Sequence, residues 1–223
     1  ELSFEEHQTS RFISDSLSEL GIEFRPIAGT GVLARVEGRR GNLKRCVVLR
    51  AEMDAVPIQE ITGQEWASER EGVMHACGHD CHAAMLYGVV KRLQMERDFE
   101  GTVLALFQPG EEIFEGAKDM IENGILEDPV PDAALACHVT SGKMPVGLYM
   151  YNSTGTMMFS VDGFKITIKG RGAHGAYPHA SIDPINIACH VYLALEALIA
   201  REVDPSKANV LTIGKFTAGN ANN

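Results

Sequence analysis

The sequence has little positive charge for its size. Its 223 residues include 30 Asp and Glu against 20 Lys and Arg, which gives a net charge of -10. Nucleic-acid binding depends on clustered Lys and Arg that neutralise phosphates. The one basic cluster, residues 39–45, surrounds Gly41-Asn42, a pair that is typical of a hairpin turn. We therefore expect no nucleic acid among the partners of this protein.

Long apolar runs and a disulfide framework are also absent. No run approaches the ~18 residues that a membrane-spanning helix needs, and the chain opens on the acidic stretch ELSFEEH rather than on a signal peptide. The five Cys residues are an odd number and are scattered along the chain, unlike those of a disulfide-rich domain. These absences predict a protein of the reducing cytoplasm with no membrane partner.

The sequence contains alternating helix and strand patterns instead. Helical spacing of apolar residues occurs in residues 4–20, 82–94 and 116–123, and short apolar strands occur in residues 32–36, 46–50, 102–107 and 133–139. This alternation predicts an α/β fold, a mixed sheet with flanking helices. The first two strands lie on either side of the Gly41-Asn42 turn, so they are expected to form a hairpin.

The pattern changes near residue 160. Apolar and polar residues alternate over residues 164–168, a helix begins at Asp183, and a further strand is predicted over residues 210–216. We interpret residues 1–161 as one domain. Residues 162–223 would then begin a smaller α+β domain that is incomplete in this sequence.

Metal-capable side chains are concentrated in HACGHDCH, residues 75–82. On a helix, Cys77 and His79 would face in different directions, because they are two residues apart. In a turn that hinges on Gly78, both side chains can face one ion. We expect this turn to precede the helix, with Asp80 near the helix start. His75 and His82 are expected to support the ligands rather than to bind the ion.

Acidic and imidazole side chains also occur where three of the predicted strands end. Glu52 and Asp54 follow the second strand, Glu111 and Glu112 follow the third, and His138 lies at the end of the fourth. Ligands of α/β proteins bind at the carboxyl ends of strands, and clustered carboxylates repel one another unless a cation balances them. Carboxylate, imidazole and thiolate ligands together suit a divalent transition ion such as Zn, Mn, Co or Ni.

The adjacent Glu111 and Glu112 can take two different roles. One carboxylate can bind the metal while the other takes a proton from water that the metal acidifies. Two other interpretations remain open. Cys77 could be the nucleophile of a cysteine hydrolase, although its acidic surroundings would raise the pKa of the thiol. The cluster could also be a non-catalytic metal site or part of a dimerisation module, although structural zinc sites are usually closed by four Cys or His ligands.

Four stretches together resemble one enzyme family. HACGHDCHAAMLYG, RAEMDAVP, FQPGEE and GRGAHGAYPHASIDPI resemble the motifs of the aminoacylase and hippurate-hydrolase branch of metal-dependent amidohydrolases. That branch belongs to the metallopeptidase group that includes glutamate carboxypeptidase and succinyl-diaminopimelate desuccinylase. ELSFEE is similar to the N-terminal stretch of the branch, which normally follows a His-Pro pair.

The resemblance implies a metal-dependent hydrolase that cleaves the amide bond of an N-acyl amino acid, with two divalent ions in one site. The implied metal ligands are Cys77, as the bridge between the ions, and His79, Glu112 and His138. Glu111 would be the general base, and Asp54 would support the ligands or the substrate. A dipeptidase or carboxypeptidase of the same group is the alternative.

The resemblance also implies a role for the second domain. Residues 162–223 would begin a lid domain that forms a homodimer, and His174 on this lid would stabilise the oxyanion, often in the site of the partner subunit. Asn223 would contact the substrate. The sequence departs from the family pattern in two ways. Glu52 replaces the usual Asp, and one further His ligand would lie beyond Asn223. Because the chain also lacks an initiator Met, it is expected to be incomplete at both ends.

Overall fold

A five-stranded sheet forms the centre of the first of two compact units, Glu1–Leu148. The structure is a computed structural model that describes residues 1–41, 44–142, 144–155 and 157–221. Within these residues the strands are β1 (Glu23–Ile27), β2 (Gly31–Glu37), β3 (Cys46–Glu52), β4 (Thr102–Gln108) and β5 (Ala133–Ala136). Their order in the sheet is β1-β2-β4-β3-β5.

The sheet is mixed. β1, β2 and β4 pair antiparallel, whereas β3 pairs parallel with both β4 and β5. The mixed α/β class is therefore confirmed. β1 has little signal in the sequence, because it is a largely exposed edge strand that contains Pro26. Since parallel strands end at the same edge, the segments that follow β3, β4 and β5 meet there.

The predicted hairpin between β2 and β3 is wrong, because β4 lies between them. The segment that leaves β2 pairs with the segment that enters β4. The Gly38 amide donates to the Gly101 carbonyl (2.9 Å), and the Arg40 amide donates to the Phe99 carbonyl (3.1 Å). The run TVLALFQ places apolar side chains on both faces of β4, which favours the central position where both faces are buried. Asn42, half of the predicted turn, lies outside the described residues.

Helices cover both faces of the sheet. α1 (His7–Glu19) and α2 (His79–Glu96) lie on one face, and α3 (Gly116–Glu122) lies on the other. The buried side chains of the first core include Leu17, Val36, Val90 and Phe107, and those of the second include Val48, Leu104 and Met120. Successive residues of β4 therefore contribute to opposite layers, as the strand period of two requires.

The starts of two helices differ from their apolar patterns. α2 begins three residues earlier than predicted, at His79, so Asp80 lies in its first turn rather than ahead of it. α1 begins three residues later than predicted, at His7, and Phe4 has a φ of 61° that no helix contains. Polar tertiary contacts lie at both starts, from His79 to Asp54 and from Gly110 to Glu6, and apolar spacing does not report them.

The second unit, Tyr149–Asn223, contains one long helix among its described residues, α4 (Pro184–Glu202). Asp183 caps this helix as predicted, because its carboxylate accepts hydrogen bonds from the amides of Ile185 (2.9 Å) and Asn186 (3.1 Å). None of the helices in the described ranges combines the length and the apolar character that crossing a bilayer requires.

The strands predicted over residues 164–168 and 210–216 do not form. In the described part of this unit, the only β-bridge joins Arg171 to Ile182. Phe164 is 57% exposed, and within the described residues of this unit no strand pairs with residues 164–168 to satisfy their backbone hydrogen bonds. The domain boundary at residue 161 stays a prediction.

We expect Phe107→Ala to lower the free energy of unfolding by about 3–5 kcal/mol, because the ring is fully buried and its loss leaves a cavity. Phe12→Ala is the matched control. Phe12 is 73% exposed, so its change should stay within about 0.5 kcal/mol. Urea denaturation followed by circular dichroism measures both changes. Equal effects would contradict the central position of β4.

Candidate metal centre

Four segments converge at the edge of the sheet where β3, β4 and β5 end. The Sγ atom of Cys77 and one ring nitrogen each of His79 and His138 lie within 4.8 Å of one another. A ring nitrogen of His79 also lies within 4.8 Å of a carboxylate oxygen of Glu111 and of Glu112. His79 therefore joins the two groups. The structure brings these five residues together, and the role of each stays a prediction.

Gly78 gives the start of α2 its geometry. Its φ of +83° is a left-handed conformation that favours glycine, and a Cβ atom there would lie 2.4 Å from Cγ2 of Val139. The hinge predicted at Gly78 is confirmed. It leaves Cys77 ahead of the helix and makes His79 the first helical residue. The same close approach brings His138, which precedes Val139, to 3.4 Å between its Nε2 and Sγ of Cys77.

His79 is buried, and Asp54 fixes its orientation. The Nδ1 atom of His79 donates to the main-chain oxygen (2.8 Å) and to Oδ1 (3.2 Å) of Asp54. Burial acts to lower the pKa of His79, but the Asp54 and Glu52 carboxylates raise it above its usual value. The Nε2 atom faces Oε2 of Glu111 and Oε1 of Glu112, each at 3.8 Å. These distances are too long for hydrogen bonds, so Nε2 is free to bind a cation.

The Asp54 carboxylate contacts three parts of the chain. In addition to His79, its Oδ2 atom accepts hydrogen bonds from the Ser3 hydroxyl (2.7 Å) and from the Glu112 amide (2.9 Å). Burial acts to raise the pKa of Asp54, but the hydrogen bonds from His79, Glu112 and Ser3 lower it to about 2. Asp54 is therefore ionised at neutral pH, and its charge keeps the Nδ1–H of His79 directed towards it.

The Cys77 thiol is protonated at neutral pH in the metal-free protein. Burial and the Glu112 and Glu111 carboxylates raise the pKa of Cys77 to about 11. A thiol in this state is a poor nucleophile, which disfavours a cysteine hydrolase. A divalent cation among these side chains would reverse the electrostatic balance and make the thiolate the stable form.

The carboxylate pair fits a metal ion. Burial and the neighbouring Glu112 raise the pKa of Glu111. The Oε1 atom of Glu112 is buried and has no hydrogen-bond partner within the described part of the chain. A buried carboxylate oxygen without a partner is unfavourable unless a cation balances it. Together with one thiol and two imidazoles, these carboxylates form a donor set that suits Zn, Mn, Co or Ni.

His82 supports the site and has no free ring nitrogen. Its Nδ1 donates to Oε2 of Glu52 (2.8 Å), and its Nε2 accepts from the Val139 amide (2.9 Å). Arg50 forms an ion pair with the same Glu52. Glu52 and His82 lie close enough to His79 to form a third group of potential ligands. Because both nitrogens of His82 are occupied, we assign this pair to holding the segment after β5 in place.

The other two predicted site residues lie outside the first unit. His174 belongs to the second unit, where it is exposed and its Nδ1 accepts a hydrogen bond from the Ala176 amide (3.1 Å). Asn223 lies outside the described residues. The roles predicted for His174 and Asn223 stay predictions.

Two residues of the N-terminal segment contact the site without being expected there. Ser3 donates to Asp54, and Glu6 is fully buried and accepts a hydrogen bond from the Gly110 amide (2.9 Å). In the sequence, an acidic residue at the start of an amphipathic helix indicates a solvated first turn. The only available signal is the family-like stretch ELSFEE, which does not reveal that Glu6 is buried.

Comparison with known proteins identifies the family. The sequence profile of Peptidase family M20/M25/M40 matches residues 48–214, which is more than half of the chain. The chain belongs to this family. The matched region contains all five residues that converge at the sheet edge, and the family resemblance expected from the motifs is confirmed.

Three curated relatives of this M20/M25/M40 protein are hydrolytic enzymes by name. It is 42% identical to N-acetyl-L-cysteine deacetylase of Bacillus subtilis, over 98% of the chain and 52% of the relative. It is 41% identical to N-acyl-L-amino acid amidohydrolase of Geobacillus stearothermophilus (100% and 60%) and 40% identical to hippurate hydrolase of Campylobacter jejuni (100% and 57%). The chain thus spans 52% to 60% of the length of these relatives.

Two solved structures share the fold. A dinuclear metal-binding peptidase of the M20 family from Bacillus subtilis has a TM-score of 0.59 and 39% identity, over 63% of this chain and 39% of that chain. A candidate aminohydrolase from methicillin-resistant Staphylococcus aureus has a TM-score of 0.69 and 32% identity, over 99% of this chain and 58% of that chain. These likenesses agree with the mixed sheet and flanking helices of the M20/M25/M40 protein.

We expect Gly78→Ala to lower the free energy of unfolding by about 1–2 kcal/mol or more, because alanine is strained in the left-handed region. Its Cβ would also contact Val139, so metal affinity should fall. The matched control is Gly88→Ala, which lies in α2 with open space around it and should stabilise the protein by about 0.5–1 kcal/mol. Urea denaturation compares the two variants, and equal stability would contradict the turn at Gly78.

The low pKa of Asp54 predicts a dependence of stability on pH. Because the folded-state pKa of about 2 lies below the unfolded value, the stabilisation by Asp54 is present above about pH 4 and is lost as the pH falls through 2. Asp54→Asn should therefore lose less stability than the wild type between these values. Urea denaturation across this range measures the difference, with exposed Asp15→Asn as the control. Parallel curves for wild type and Asp54→Asn would contradict the hydrogen-bonded carboxylate.

Proposed function

We propose that this protein is a metal-dependent amidohydrolase that hydrolyses the amide bond of an N-acyl amino acid. The observation that carries the proposal is the convergence of one thiol, two imidazoles and two carboxylates at one edge of the sheet. Membership of the M20/M25/M40 family supports the reaction class. The names of the deacetylase, amidohydrolase and hippurate hydrolase relatives support the substrate class.

The metal ligands in this proposal are Cys77, His79, Glu112 and His138, which would hold two divalent transition ions such as Zn, Mn, Co or Ni. The dinuclear Bacillus subtilis structure supports the number of ions. Bound ions would supply a Lewis acid that activates water and polarises the acyl carbonyl. Glu112 suits a ligand better than a base, because its buried Oε1 has no hydrogen-bond partner among the described residues.

Glu111 is the general base in this proposal. Burial and Glu112 raise the pKa of Glu111, which moves it towards neutral pH, where proton transfer by a carboxylate is more efficient. Glu111 would take a proton from the attacking water and deliver it to the leaving amine. Asp54 would act through His79, whose free Nε2 it keeps directed towards the two carboxylates.

The remaining assignments rest on the family resemblance. Residues 162–223 would begin a lid domain that joins two copies into a homodimer, with His174 stabilising the oxyanion and Asn223 contacting the substrate. The free thiols of the five Cys residues support a reducing cytoplasmic location. The net charge of -10 supports a small-molecule substrate rather than nucleic acid.

Hydrolysis of N-acetyl and N-benzoyl amino acids tests the proposal. We expect the Zn²⁺-, Mn²⁺- or Co²⁺-loaded protein to release the free amino acid and a chelator to abolish the reaction. Glu111→Gln should lower kcat by about 10²–10⁴-fold while metal content is unchanged, because the variant removes the base and keeps the ligands. Released amine and bound metal are measured on the same samples.

The matched control is Glu115→Gln, which changes an exposed carboxylate four residues further along the chain and should keep wild-type activity. Activity that survives complete metal removal would contradict the metal-dependent mechanism. Wild-type turnover by Glu111→Gln would contradict the assignment of the base. Cleavage of dipeptides without cleavage of N-acyl amino acids would instead favour the dipeptidase or carboxypeptidase alternative.

A further inference from the structure

We propose that Glu6 is a positioning residue that holds the turn carrying Glu111 and Glu112 in a metal-ready geometry. This inference rests on the proposed metal-dependent function. Glu6 is fully buried, although it is an acidic residue at the start of α1. A carboxylate is rarely buried without partners that compensate for the loss of water, so its contacts indicate what it does.

Both carboxylate oxygens of Glu6 accept hydrogen bonds from other parts of the chain. Oε1 accepts from the Gly110 amide at 2.9 Å, and Oε2 accepts from the Thr30 hydroxyl at 2.5 Å. The side chain makes no capping bond to its own helix. Glu6 therefore joins the turn after β4 to the connection between β1 and β2, and Gly110 is the residue directly before Glu111.

A second residue of the N-terminal segment contacts the same turn. The Phe4 ring packs against Gly110 so closely that a Cβ atom at Gly110 would lie 2.7 Å from Cε2 of the ring. Gly110 has a φ of +59°, which favours glycine, so any side chain is disfavoured at this position. The turn is therefore held at Gly110 by Phe4 and Glu6.

The same turn is held at Glu112 by Asp54. The Glu112 amide donates to Oδ2 of Asp54 at 2.9 Å, and the Ser3 hydroxyl donates to the same oxygen at 2.7 Å. Two buried carboxylates, Glu6 and Asp54, thus accept the amides of Gly110 and Glu112. The backbone of the catalytic pair is fixed at both ends, independently of what its own carboxylates bind.

Fixing the backbone at Gly110 and Glu112 matters because the Glu111 and Glu112 carboxylates repel each other. Without a cation, the two side chains would separate if the backbone between them could relax. Fixed amides keep both carboxylates 3.8 Å from Nε2 of His79 before any ion is bound. Groups that orient metal ligands in this way typically contribute about 10–100-fold to metal affinity or activity.

The test compares Glu6→Gln with Glu6→Met, two substitutions of similar length. Gln keeps a carbonyl oxygen for the Gly110 amide and an NH₂ group that can donate to Thr30, whereas Met fills the space and accepts neither hydrogen bond. The exposed neighbour Glu5 offers matched controls, Glu5→Gln and Glu5→Met. The readouts are the Co²⁺ dissociation constant from a competition titration with a chromogenic chelator, and the visible absorption spectrum at saturating Co²⁺.

We expect Glu6→Met to bind Co²⁺ about 10–100-fold more weakly than the wild type and to show an altered spectrum, with Glu6→Gln and both Glu5 variants close to the wild type. A purely structural role would lower the unfolding temperature and leave affinity and spectrum unchanged. Unchanged Co²⁺ affinity in Glu6→Met would therefore overturn the positioning role. If Glu6→Gln lost as much Co²⁺ affinity as Glu6→Met, the positioning role could not depend on the hydrogen bonds of Glu6, and the inference would be overturned.

A variant that fails to fold is replaced by Thr30→Val, which removes one of the two hydrogen bonds to Glu6 and keeps the carboxylate. Weakened Co²⁺ affinity is expected there too, and wild-type affinity would overturn the inference. The proposed function fails separately: a wild-type protein that binds no Co²⁺ contradicts the metal centre itself. Wild-type binding combined with full binding by Glu6→Met contradicts only the role of Glu6.

Discussion

The hydrogen bonds to the Asp54 carboxylate are the contacts on which the rest of the candidate centre depends. This buried group accepts from Nδ1 of His79, from the Glu112 amide and from the Ser3 hydroxyl. It therefore ties together the start of α2, the turn after β4 and the N-terminal segment. Because the pKa of Asp54 is about 2, its carboxylate stays charged at neutral pH. The hydrogen bond that orients His79 therefore keeps its acceptor at that pH.

A second buried histidine–carboxylate pair fixes the segment after β5. His82 donates to Glu52 and accepts from the Val139 amide, next to His138. The two pairs differ in one respect that decides their chemistry. His79 keeps Nε2 free for a cation, whereas His82 uses both nitrogens within the protein. The parallel pairing of β3 with β4 and β5 brings both pairs to one edge of the sheet.

The sequence predicts those parts of the structure that depend on local patterns. Apolar runs that end in Asp54 or Glu112 predict strand ends that share one edge, and Gly78 between Cys and His predicts a hinge. Local patterns do not predict the order of the strands in the sheet. β4 lies between β2 and β3, where both of its apolar faces are buried. The strand predicted over residues 164–168 finds no pairing partner in the described part of the chain, and Glu6 is buried against Gly110, which lies 104 positions away. No periodicity reports such contacts.

X-ray absorption spectroscopy of the Zn²⁺-loaded protein tests most directly whether Cys77 and its neighbouring histidines and carboxylates form one metal centre. We expect scattering from sulfur at about 2.3 Å and from nitrogen or oxygen at about 2.0–2.2 Å. We also expect a second metal ion at about 3.5–4 Å. The sulfur contribution should disappear in Cys77→Ser. A wild-type coordination shell without sulfur, or a sulfur contribution that survives in Cys77→Ser, would contradict a metal centre that includes Cys77.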